Sequence, residues 1–214
     1  VTGDLTMQAM PPFDEDGAGR DAAELAGVAG LTLVPWQRLA LAAGLRRRAG
    51  RWAAPQVALI APERETGQVA AVLELAALFL FPGVRRILHS SCCRGTAEEA
   101  FGRVRTLVED DPFAPRVARI GAAAGAETVE LKDGSCLRFV ARPGSGPGFS
   151  ADLAVLAEAY TLTGTDVGRL MPAIAGRPDP QLWYTSGSGR PDGDHLTQVR
   201  GNATSRPMAF LEVR

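Results

Sequence analysis

The sequence predicts an α/β protein built on a largely parallel sheet with flanking helices, and three observations carry that prediction. Short runs dominated by apolar residues recur at 57–61, 86–90, 153–156 and 182–185, as strands buried on both faces require. Helix-length segments separate them, most plainly 69–81 and the stretch opening at Thr96. At 46% hydrophobic and 22% charged residues, the 214-residue chain has the composition of a globular protein long enough for one large α/β domain.

Taken in order, residues 1–30 mix Pro, Gly, Asp and Glu with little periodicity and read as a flexible N-terminal arm or a tail docked on the domain, which is expected to span 31–214. From Trp36 to Ala49 the residues Leu39, Leu41, Ala42 and Leu45 recur at helical spacing behind Pro35, and the helix is expected to end in the basic cluster Arg46, Arg47, Arg48 and Arg51. The run Val57–Ala61, the polar turn PERETGQ and the apolar segment from Val69 to Phe81 form a strand, loop and helix. Arg86–Ser90 and the helix from Thr96 repeat that pattern, with Phe101, Val104 and Leu107 on one face, until Asp110–Pro115 breaks it.

Glu127–Leu131 and Cys136–Ala141 flank an Asp-Gly turn and predict an antiparallel hairpin, inserted or at an edge. The Gly-rich stretch Arg142–Ser150 reads as a loop, Leu153–Leu156 as a buried strand, Asp166–Ile174 as a helix, and Leu182–Thr185 as the last strand. Such a sheet binds ligands at the carboxyl ends of its strands.

Charge narrows the chemistry. With 23 basic and 24 acidic residues the net charge is -1, which excludes a strongly basic coat protein or an acidic tail. All but one of the basic residues are Arg; the single lysine, Lys132, falls in the hairpin turn and reads as solvated. The three cysteines, Cys92, Cys93 and Cys136, form no CxxC, and no stretch reaches the ~18 apolar residues that span a bilayer. A reduced, cytoplasmic setting without a membrane is therefore expected.

Two local patterns suggest a phosphate site. Pro62, four residues, then Gly67, Gln68 and Val69 partly overlay the P-loop GxxxxGK[ST], whose backbone N–H groups cradle phosphate. The strand Leu153–Leu156 followed by Ala157-Glu158 partly overlays a Walker B strand, in which Asp holds the hydration shell of Mg²⁺ and Glu polarises the attacking water. Alone, each fits an ordinary strand end better than a phosphate site. Other groups carry less: His89 and His195 lack ligand partners at metal spacing, Ser186 lacks a GxSxG setting, and the tryptophans fit core packing. The Arg clusters at 46–51 and 85–94 fit a solvated face as well as a DNA contact.

Five segments together resemble the ATPase domain of tailed-phage terminase large subunits. LTLVPWQRLAL is similar to that family's opening segment, RETGQV to its RxxGK[ST] loop, and ILHSSCCRGTAEEAFGRV to the strand and helix that follow. VELKDGSCLRFVARPGSGPGFSADLAVLAEA resembles the hairpin, Gly-rich loop and Walker B strand, and LWYTSGSG the coupling motif. The resemblance implies a P-loop NTPase fold of the RecA-like (ASCE) kind, ATP and Mg²⁺ as cofactors, double-stranded DNA as the handled polymer, and portal and small terminase subunit as partners. It implies Gln37 at adenine, Arg64, Glu65, Thr66, Gly67, Gln68 and Val69 in the phosphate loop, Glu158 as catalytic carboxylate, and Thr185 with Ser186 as coupling residues. No nuclease domain is expected within 31–214.

The departures coincide on one function. Gln68 stands for Lys, Val69 for Ser/Thr and Ala157 for Asp, and all three positions serve Mg-nucleotide. Tyr160 and Pro147 stand where the family often has polar or basic residues. A single preorganised donor of this kind is worth about 3 kcal/mol of barrier, so the expectation is a motor-type domain with impaired Mg-ATP binding and hydrolysis. Two alternatives stay open: an ATPase with a variant loop in which Arg64 compensates, and a non-catalytic DNA- or portal-binding module.

Overall fold

The computed structural model describes residues 4–142 and 149–213, and of residues 63 and 64 the backbone alone. Most of the expected Gly-rich loop, Pro147 included, lies outside the described residues.

The core is a nine-stranded sheet whose central six strands run parallel. In chain order the strands are β1 (Leu5–Ala9), β4 (Gln56–Ala61), β5 (Arg86–Ser91), β6 (Val117–Gly121), β7 (Thr128–Leu131), β8 (Cys136–Ala141), β9 (Leu153–Leu156), β10 (Gln181–Gly187) and β11 (Met208–Val213), with β2 (Arg47–Arg48) and β3 (Arg51–Trp52) forming a separate ribbon. Their spatial order is β1-β11-β4-β10-β9-β5-β8-β7-β6. The expected hairpin is β7–β8, and it lies towards an edge: β8 continues the parallel array on β5, while β7 and then β6 add antiparallel strands outside it.

Every expected buried strand is present. The set does not end at residue 185, however, because β11 pairs in parallel with β4 and β1 closes that edge antiparallel to β11. The 1–30 segment accordingly follows the docked reading rather than the flexible one over its described part. It contributes β1 and helix α1 (Gly17–Val28), whose Ala22 and Ala26 are fully buried, and at Gly19 an added Cβ would overlap the backbone of Ala42. Small residues rather than large apolar ones make that contact, which is why periodicity missed it.

Helix α2 (Pro35–Gly44) stops short of the expected basic end. Ala49 and Gly50, both at positive φ (51° and 74°), form a tight turn that pairs Arg47 with Trp52, so the basic cluster sits on the ribbon. There Arg46 stacks on Phe13 at 3.8 Å and Arg47 on Trp52 at 4.3 Å, and Arg47 also meets Asp179 at 3.4 Å.

Helix α3 (Glu63–Phe79) lies on the sheet beneath α1 and α2, beside helix α4 (Arg94–Val108). Val69–Leu73 and Leu75–Leu78 are buried on every side, which explains a helix apolar all round rather than on one stripe. The other face of the sheet carries helix α5 (Gly164–Ala175) and helix α6 (Asp194–Gly201), packed through Leu170, Ile174, Leu196 and Val199. Two buried polar residues fix the layers. Gln181 donates to Gly44 O (2.7 Å) and Ala54 O (3.0 Å) while accepting from Trp183 Nε1 (2.9 Å), which ties β10 to the end of α2. Glu74 of α3 meets His89 of β5 at 2.5 Å beneath the sheet's carboxyl edge.

Candidate functional site

Because β4, β10, β9 and β5 are parallel, their carboxyl ends Ala61, Gly187, Leu156 and Ser91 emerge at one edge. A cleft of about 410 Å³ opens there. Thr66, Gly67 and Ala70 of α3 form one wall, Thr96, Glu99, Ala100 and Arg103 of α4 another, and Glu158 with Thr185 and Ser186 the floor. The strand bearing Thr185 and Ser186 runs between β4 and β9, opposite Leu59 and Ile60 of β4. Of the expected site residues, Thr66, Gly67, Glu158, Thr185 and Ser186 are thus brought together.

The turn that was to cradle phosphate takes another form. Helix α3 begins at Glu63, directly after Pro62, so most of the expected loop is its first turn. The N–H groups of Glu65 and Thr66 both donate to Pro62 O, at 2.9 and 3.2 Å. Proline ahead of the first turn and a carboxylate within it, at Glu65, suit a helix start.

Gln37, Glu65 and Gln68 form a second cluster, at the junction of α2 and α3, and Gln37 and Gln68 do not line the cleft. Gln37 is fully buried; its Oε1 accepts from Val34 N (3.0 Å), and its Nε2 donates to Glu65 O (3.3 Å) and Gln68 Oε1 (3.2 Å). Gln68 Nε2 donates in turn to Thr32 O at 3.2 Å, and Trp36 Nε1 to Glu65 Oε2 at 3.1 Å. Val69 is buried in the core, and the side chain of Arg64 lies outside the described residues.

Glu158 adopts a left-handed backbone conformation (φ 46°), which costs a non-glycine residue about 1 kcal/mol or more. Arg142, buried at the end of β8, holds it there. The guanidinium donates to the carbonyls of Ser90 (3.0 Å), Ala157 (2.8 Å) and Glu158 (3.3 Å) and to Thr161 Oγ1 (2.7 Å), clamping the ends of β5 and β9. The Glu158 carboxylate accepts from Cys92 N at 2.9 Å and lies 3.5 Å from Thr96 Oγ1, at the amino end of α4 where the helix dipole favours negative charge.

Cys92 and Cys93 flank that point, while Cys136 lies at the opposite end of the strands, beside Arg86. Hydrogen bonds from the Thr96 backbone and hydroxyl hold the exposed Cys93 thiol below the usual range, whereas burial pushes Cys92 and Cys136 up. His89 faces Glu74 through Nδ1 and Ser91 Oγ through Nε2 at 3.0 Å, a serine–histidine–carboxylate chain in outline. Ser91 is fully buried and does not line the cleft, so the chain ties α3 to β5 and offers no exposed nucleophile.

Arg103 is one of the cleft residues that sequence reasoning passed over, with Thr96, Glu99 and Ala100 of the same helix. Glu99 and Arg103, four apart on α4, read as an ordinary exposed helix pair, and their side chains do meet at 3.0 Å. The guanidinium also rests against α3: an added Cβ on Gly67 would overlap Nη1 and lie 3.1 Å from Cζ. That contact joins positions 36 residues apart and leaves no local pattern. Among the described residues no helix is long and apolar enough to cross a membrane.

No family model and no curated protein matches the chain. Solved structures do. The HK97 bacteriophage large terminase superposes with a TM-score of 0.69 at 20% identity, over 83% of this chain and 38% of its own length. The ATPase domain of the Thermus phage P74-26 large terminase gives 0.59 at 18% identity, over 77% of this chain and 69% of that domain. The chain therefore spans well under half of the full HK97 protein, and what it shares with both structures is the fold, a mixed α/β domain on a mostly parallel sheet.

Proposed function

We propose that the chain is a terminase-type motor domain in which Mg-ATP binding and hydrolysis are impaired, serving viral DNA packaging as an accessory to DNA, portal or small terminase subunit. The observation that carries this reading is the direction of Gln68. At the position of the phosphate-binding lysine, its amide is engaged by Gln37 and Thr32 and does not line the cleft. The magnesium positions agree: Val69 is a buried aliphatic side chain and Ala157 a methyl group, so neither offers an oxygen to the ion or its water shell. These residues do not fit Mg²⁺.

Within this reading Thr66, Gly67, Thr185 and Ser186 line what remains of the phosphate cleft, and Gln37, Glu65 and Gln68 brace α2 against α3 instead of reading adenine. One observation favours the alternative of an active ATPase: Glu158 keeps its carboxylate in the cleft. Calorimetric titration with Mg-ATP and a phosphate-release assay decide between them. The expected result is neither saturable Mg-ATP binding nor turnover above background; turnover abolished by Glu158→Gln would overturn the proposal. Salt-dependent DNA binding indifferent to ATP is expected of the accessory role.

A further inference from the structure

We infer that a second pocket, between α5, α6 and the sheet, binds a small aromatic carboxylate, its acid group meeting Arg206 at the mouth and its ring entering among the apolar side chains behind. The pocket shares no lining residue with the cleft, so the inference does not depend on whether the cleft binds nucleotide. Strand alternation sets its floor. Trp183 of β10 points into the core shared with α3, and the next residue, Tyr184, into the core beneath α5 and α6. Gln56 and Met208, paired at the amino ends of β4 and β11, extend that floor. Val167 and Met171 of α5 face His195 and Val199 of α6 across it. The space is about 220 Å³, below the roughly 300 Å³ at which drug-sized sites begin, and it suits a single ring with its acid group.

Charge and hydrogen bonding select the ligand. No carboxylate lines the pocket, and the exposed Arg206 has neither an ion pair nor a side-chain hydrogen bond among the described residues. Burial holds His195 below the usual imidazole range, so at neutral pH it brings no second positive charge. Tyr184 is only 2% exposed, yet its hydroxyl has one long contact, 3.4 Å to His195 Nε2. The side-chain amides of Gln56, Gln198 and Asn202 also lack partners among the described residues. A ligand therefore meets donors and acceptors not already spent on the fold. A planar carboxylate matches the guanidinium fork through both oxygens, and Met171 and Met208 adapt to the edge of a ring. Bare phosphate would leave the apolar walls unfilled, and an amine would meet Arg206 as a like charge.

The experiment titrates the chain with benzoate, benzamide, benzylamine and inorganic phosphate, followed by ligand-observed NMR. Arg206→Gln removes the charge at the mouth, at an exposed position where the fold is not at stake. Val167→Phe fills the pocket from a half-buried position, and Arg169→Gln makes the same charge change at an exposed site of α5 outside the pocket. The expected result is saturable benzoate binding at about millimolar affinity, as a ligand of that size allows. Benzamide binding to the chain and benzoate binding to Arg206→Gln should each be weaker by roughly tenfold, the loss of one charge-assisted pair. Arg169→Gln should bind benzoate unchanged, Val167→Phe should not bind it, and benzylamine and phosphate should not saturate. Phosphate bound as tightly as benzoate would mark a plain anion site and overturn the inference. So would absence of saturable benzoate binding, or full affinity in Arg206→Gln or Val167→Phe.

Discussion

Replacing Gln68 by lysine, the change that rebuilds a P-loop lysine on paper, is expected to weaken the fold and to leave Mg-ATP binding where it was. The wild-type amide accepts from Gln37 Nε2 at 3.2 Å and donates to Thr32 O at 3.2 Å. A lysine can replace the second bond but cannot accept the first, so one N–H of a fully buried glutamine loses its acceptor. An unpaired buried donor costs about 1–3 kcal/mol; because Gln68 is only half-buried and Gln37 keeps Glu65 O, the low end, about 1 kcal/mol, applies. With a urea m-value of about 2 kcal/mol/M, the unfolding midpoint should fall by about 0.5 M. Gln68→Glu, which keeps the acceptor, tests whether the Gln37 bond is responsible and should retain more stability. An unchanged midpoint combined with newly gained Mg-ATP binding would show that side chain 68 faces the cleft, and would refute the reasoning.

Three further outcomes are expected. Cys93, held low by Thr96, should alkylate with iodoacetamide ahead of Cys92 and Cys136 as pH rises, and Thr96→Val should slow it; mass mapping of the three thiols at partial labelling checks the order. Burial pushes the Tyr184 phenol from 10.0 up to about 12, so its contribution to stability is complete below pH 10, declines as pH rises and is lost through about 12. Tyr184→Phe should flatten that alkaline decline in urea midpoints, and an unchanged slope would count against it. Gly44→Ala should destabilise by about 1–3 kcal/mol, because the new Cβ would overlap the fully buried Trp183 ring, and thermal unfolding reads the loss directly.

The buried parallel strands were legible because each is a short apolar run bounded by breakers, and the Asp-Gly turn of the hairpin because its chemistry is local. Elements held by small or distant contacts were not. Helix α1 packs through Gly19, Ala22 and Ala26, which carry almost no hydrophobic signal, and β1 lies on the sheet only through pairing with β11, more than two hundred residues away in register (Leu5 opposite Val213). Within the site, Thr66, Gly67, Glu158, Thr185 and Ser186 were named on the resemblance of their segments, and they come together because the ends of parallel strands share one edge of the sheet. That shared edge places a residue but does not aim its side chain. The direction of Gln68 depends on Gln37 and Thr32, and the reach of Arg103 on the absence of a side chain at Gly67, both tertiary facts.

The all-round burial of α3 has a mechanical consequence. A helix with one solvent face can shift when something presses on its end, but α3 is enclosed by α1, α2, α4 and the sheet, and close-packed interiors have little slack. Its first turn is a wall of the cleft. Whatever lodges there pushes on a strut seated against every neighbouring layer, so occupancy should slow amide exchange in α1, on the far side of α3, as well as near the ligand.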